Sequence, residues 1–71
     1  MKRKPISSQA IASVGYDATT QILEVEFTSG DVYHYFDVSP FEKEALLRAD
    51  SSGAYLNQRI KPRHRYQEVP S

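Results

Sequence analysis

Polar and apolar positions alternate most clearly from Ile22 to Thr28. Leu23, Val25 and Phe27 fall on one side of an extended chain, and Glu24, Glu26 and Thr28 on the other. A two-residue period of this kind marks a strand with one buried face. Ser29-Gly30 then signals a turn, and Val32-Tyr33-His34-Tyr35-Phe36 is rich in strand-favouring residues. A loop of two or four residues centred there sets Leu23 against Phe36, Val25 against His34 and Phe27 against Val32. On that register His34 faces the core, whereas Tyr33 and Tyr35 lie on the opposite face beside Glu26 and Glu24. A slip that set Leu23 against Asp37 would mix the two faces. The run from Ala10 to Tyr16 is apolar enough for a preceding strand. Asp17-Ala18-Thr19-Thr20 reads as a turn, because an Asp side chain accepts from the backbone two residues on. Ile11 and Val14 fall on opposite sides of a regular strand, which leaves the register of this first hairpin open.

The pattern changes after Asp37. Ser39 is a helix cap, Pro40 suits the first helical position, and Glu42 stands three residues after the cap. Phe41, Ala45, Leu46 and Ala49 then form one apolar stripe. Asp50-Ser51-Ser52-Gly53 ends that helix and offers caps for a second from Ala54 to Ile60, with Leu56 and Ile60, or Tyr55, turned inward. Pro62 disfavours helical geometry at Lys61 and stops it. The predicted fold is α+β: a three-stranded antiparallel β-meander followed by two short helices packed on one face. Residues 1–9 read as a flexible basic leader, 10–66 as a single domain, and 67–71 as a C-terminal tail, the polar stretch 63–71 offering Tyr66 or Val69 as a pin.

With 71 residues the chain makes one domain, and one short of buried surface. It has no cysteine, which excludes disulfides and thiolate zinc sites. Apolar runs of two or three residues exclude a membrane-spanning helix, and no apolar stretch follows Lys2-Arg3-Lys4 as a signal peptide requires. A cytoplasmic location is the expectation. Net charge is zero but unevenly spread. Residues 17–50 hold eight acids against two bases, and both flanks are basic.

Taken in order, several short motifs resemble the KTSC family, named for the C-terminal domain of some lysyl-tRNA synthetases. They are Ile11-Ala12-Ser13-Val14-Gly15-Tyr16-Asp17, Leu23-Glu24-Val25-Glu26-Phe27 with Ser29-Gly30, and Val32-Tyr33-His34-Tyr35-Phe36, which is similar to that family's central Tyr-x-Tyr. Ser52-Gly53, Tyr55-Leu56-Asn57 and Ile60-Lys61 follow, so the likeness spans about residues 8–66. The chain departs from it at Asp37-Val38-Ser39-Pro40, where a shorter Val-Pro lead-in is usual, and at Leu56, where phenylalanine is common. The resemblance implies a domain found both appended to a tRNA-handling enzyme and as free-standing bacterial proteins, and it suggests RNA as a partner.

The strongest nucleic-acid candidate is the basic stretch Arg59, Lys61, Arg63, His64 and Arg65, which ends at Tyr66. Arginine both pairs with phosphate and stacks, and each neutralised phosphate steepens the salt dependence of binding. Its plain reading is a solvated arm. Tyr33 and Tyr35 are a second candidate, as stacking platforms for unpaired bases. Glu24 and Glu26 beside them would repel phosphates, which favours an ordinary Tyr/Glu sheet face. His34 reads as a structural histidine with a hydrogen bond, since His64 is the only other histidine and no spacing suggests a metal site. No nucleophile, base and orienter stand together, and no Gly-rich phosphate loop occurs. The expectation is therefore a non-catalytic domain without cofactor, monomeric or weakly self-associating, that binds tRNA-like or single-stranded RNA through the basic segment. The alternative is a protein-interaction module using the Tyr33/Tyr35 face or an edge strand.

Overall fold

In the computed structural model, which describes residues 2–70, the strands are β1 (Arg3–Pro5), β2 (Ile11–Asp17), β3 (Ile22–Phe27), β4 (Val32–Tyr35) and β5 (Tyr66–Val69). Between β4 and β5 come α1 (Pro40–Arg48) and α2 (Ser52–Tyr55), the latter running into a π-helical turn at Leu56–Ile60. The strands form a single antiparallel sheet in sequence order, five rather than three. The two additions come from the ends of the chain: β1 from the segment read as a flexible leader, β5 from the segment read as a tail. Met1 and Ser71, their outermost residues, lie outside the described residues.

The turn after Phe27 sets which side chains reach the core. Gly30 N–H donates to Phe27 O at 2.9 Å, Phe27 N–H donates to Asp31 O at 2.8 Å, and Gly30 takes φ +98°. This is a three-residue connection closed by a glycine in left-handed backbone, which suits the twist of the flanking strands. It pairs Leu23 with Tyr35, Glu24 with His34 and Val25 with Tyr33. The expected alignment is thus off by one residue, because a two- or four-residue loop was assumed. Tyr33 and Tyr35 join Leu23 and Val25 on the helix-covered face, and His34 joins Glu24 on the other.

The first hairpin resolves its own conflict with a bulge. Ile11 pairs with Phe27 but Ser13 with Glu26, so Ala12 is an extra residue on β2. That one residue returns both Ile11 and Val14 to the core face. In the turn, Asp17 Oδ1 accepts from Thr19 N–H at 2.9 Å, as the sequence predicts. Ile11, Val14, Leu23, Val25 and Tyr35 from the sheet meet Val38, Leu46, Leu56 and Ile60 in one buried cluster.

Helix α1 starts with the predicted capping box: Glu42 N–H donates to Ser39 Oγ at 3.1 Å and Ser39 N–H to Glu42 Oε1 at 3.2 Å. The predicted apolar stripe does not hold. Leu46 is fully buried, but Phe41 is 81% exposed. Five positions at 100° each place the two about 140° apart around a helix, so burying one turns the other to solvent. Ser51 caps α2 by accepting from Ala54 N–H at 3.2 Å, and the buried Ser52 hydroxyl donates to Leu46 O at 3.1 Å. The second of these bonds ties α2 to α1.

Candidate functional site

The observed register builds an aromatic strip on the helix side of the sheet. Tyr66 lies opposite Tyr35 and Glu68 opposite Tyr33 on the paired strands. The Tyr66 ring centroid is 5.6 Å from that of Tyr35 and 5.9 Å from that of Tyr33. Phe27 meets Tyr33 edge to face at 5.7 Å. The strip runs from inside to outside. Tyr35 is 2% exposed, and burial pushes its hydroxyl pKa up to about 12. Tyr33 is half-buried, and the nearby Glu68 carboxylate, with some burial, raises its pKa. Tyr66 is 48% exposed, with the Lys61 ammonium 5.9 Å from its ring centroid, in cation–π range.

The carboxylates expected beside the tyrosines lie on the other face. Glu24 contacts Arg3 at 3.4 Å and His34 Nε2 at 2.8 Å. Glu26 accepts from the Ser13 hydroxyl at 2.8 Å. Gly15 stands between Arg3 and Glu24 in the cross-strand row. The repulsion argued from Glu24 and Glu26 therefore does not apply, and Glu68 is the acid that neighbours the strip instead.

The basic segment runs from the end of the π-helical turn, which holds Arg59, through the turn that leads to β5. His64 pins it down: one ring nitrogen is 2.8 Å from Phe36 O and the other 2.6 Å from Glu42 Oε2, and its side chain is 10% exposed. Anchored by His64, the segment presents Arg59, Lys61, Arg63 and Arg65 to solvent. None of these cations forms an ion pair among the described residues. Arg65 stands 5.9 Å from the Phe36 ring centroid, and Arg59 and Arg63 line an open groove with Tyr55 and Glu42.

Of the residues singled out from sequence, Arg59, Lys61, Arg63 and Arg65 are on the surface, Tyr33 is partly accessible, and Tyr35 and His64 are inside. The exposed platform is Tyr66, which sequence reading treated as a possible pin for the tail. Its place beside Tyr35 depends on β5 pairing with β4, which no local pattern announces. A protein partner on this face would meet Tyr33 but not Tyr35, and the free sheet edges are β1 and β5. Among the described residues no cluster of His, Cys, Asp and Glu could hold a metal, and no helix is long and apolar enough to cross a membrane.

Comparison with known proteins adds to this picture. The family model described as the KTSC domain matches residues 7–66. An uncharacterized protein of Stutzerimonas stutzeri is 52% identical over 64 residues, covering 90% of each chain. A lysine–tRNA ligase of Nostoc punctiforme is 41% identical over 66 residues, which are 93% of this chain but 12% of that enzyme. Among solved structures, the crystal structure of a KTSC domain protein from Yersinia pestis superposes with a TM-score of 0.92 at 29% identity, covering 97% of both chains.

Proposed function

The chain belongs to the KTSC domain family, and on that premise we propose that it is a non-catalytic, cytoplasmic RNA-binding module. The segment carrying Arg59, Lys61, Arg63 and Arg65 takes the phosphate backbone, and Tyr66, with Tyr33 behind it, stacks an unpaired base. One observation carries this reading: four exposed cations, none in an ion pair among the described residues, stand in the segment that leads to the exposed Tyr66, and one of them, Lys61, lies beside its ring. Unpaired cations release counterions when they meet phosphates, and an aromatic face accepts any base. The lysine–tRNA ligase relative, an enzyme that by its name handles tRNA, carries a similar segment and supports the choice of RNA.

Fluorescence titration of labelled tRNA and single-stranded RNA at low and moderate salt tests it. Arg63→Ala and Arg65→Ala should each weaken binding to all sequences and lower the salt slope by about one. Tyr66→Ala should cost roughly 1–3 kcal/mol with single-stranded RNA, the size of one lost base stack. Absence of binding at micromolar protein in low salt would end the proposal.

A further inference from the structure

At the β1 edge of the sheet, the edge away from β5, a cleft of about 380 Å³ opens between β1 and α1. Its floor is apolar, made by Ile6, Val14 and Leu47, and its rim carries Lys2, Lys4 and Lys43. The fold explains the arrangement. Lys4 pairs with Val14 across β1 and β2, so it lies on the helix side of the sheet. Lys43 and Leu47 are four positions apart on α1 and share one side of it. Leu47 is 41% exposed and Ile6 half-buried, so part of the floor is open to water.

The rim lysines differ in their engagements. Lys43 lies 5.6 Å from the Tyr16 ring centroid and holds Glu44 Oε1 at 2.7 Å. Lys2 and Lys4 form no ion pair among the described residues. An uncharged apolar molecule would use only the floor, and an inorganic anion only the rim. A nucleic acid would find no exposed aromatic ring here, because Tyr16 is half-buried and its hydroxyl is tied to Val38 O. One class of molecule uses both parts: a carboxylate head on a short aliphatic body. The cleft volume falls at the low end of small-ligand sites, roughly 300–1,000 Å³.

We propose that this cleft binds a small amphipathic anion of the medium-chain aliphatic carboxylate class. The head group meets Lys2 and Lys4 and competes with Glu44 for Lys43, while the chain lies over Ile6, Val14 and Leu47.

The test is a titration of the isotope-labelled full chain by NMR with decanoate below its micelle concentration, run beside decanol and inorganic phosphate. Decanoate should give saturable shifts at the amides of Ile6, Gly15 and Leu47. Decanol should bind at least about fivefold more weakly, and Lys4→Gln should weaken decanoate roughly three- to fivefold, the size of one exposed ion pair. Leu47→Asp should abolish the shifts, and because Leu47 is partly exposed the variant should remain folded, with its other amide signals in place. Equal binding of decanol and decanoate would overturn the proposal. So would matching shifts with phosphate, shifts confined to the basic turn, or no saturation.

Discussion

Glu42 uses its two carboxylate oxygens for two purposes. Oε1 accepts from Ser39 N–H and closes the capping box, while Oε2 meets His64 from the C-terminal turn. Partial burial acts to raise its pKa, but the hydrogen bonds from His64 and Ser39 outweigh that and hold it below the ordinary 4.5. A carboxyl depressed on folding contributes stability that is complete above its unfolded-state pKa and is lost as pH falls through its folded-state value. Glu42→Gln keeps a side chain able to close the box but removes the charge. It should cost roughly 1 kcal/mol near neutral pH, a charge-assisted bond being exchanged for a neutral one. Urea unfolding of both proteins from about pH 7 to pH 3 should show that gap narrowing on the acid side. A gap independent of pH would show that the charge of Glu42 does not act through this contact. His64 was readable as a basic-segment residue, but its partners are 22 and 28 positions away and nothing local names them.

At the scale of elements, what was legible is what closes locally. The Ser39 cap and the Asp17 turn depend on groups within a few positions of one another, and both are present. The expected effect of Pro62 is not: Lys61 before it keeps helical geometry at φ −56° and ψ −44°, and the chain turns away only after it. The inward face of α1 was not legible, because a short helix with few apolar residues can bury more than one arc. Leu46→Ala should destabilise by about 2–5 kcal/mol, a typical large-to-small core loss. Phe41→Ala should stay within about 0.5 kcal/mol of the parent, as exposed substitutions do. Thermal or urea unfolding of both variants checks this, and a large loss from Phe41→Ala would mean that α1 is rotated from the orientation described. The strands β1 and β5 also escaped sequence reading. Arg-Lys-Pro and Tyr-Gln-Glu-Val carry no alternating apolar set, so they become strands through the neighbours they pair with rather than through their own pattern.

For the whole molecule, a core this small leaves little stability to spare, so each sheet edge matters. Strand β5 covers the edge of β4 along Val32–Tyr35 and places Tyr66 against the buried Tyr35. Deleting residues 66–71 should lower unfolding free energy by on the order of 2 kcal/mol, from lost ladder bonds and newly exposed tyrosine surface. It should also promote association through the uncovered edge, seen as a larger species in sedimentation. An unchanged unfolding curve would show that β5 contributes nothing to the fold. The closure helped by the left-handed Gly30 reaches further than the hairpin it ends. Whether the connection between β3 and β4 holds an odd or an even number of residues assigns the aromatic and ionic sets to their sides. Were the same sequence to turn through four residues instead of three, Tyr33 and Tyr35 would face outward beside Glu26 and Glu24, and His34 would leave Glu24 for the core side. The pairing closed at this one turn thus decides which chemistry each side of the sheet displays.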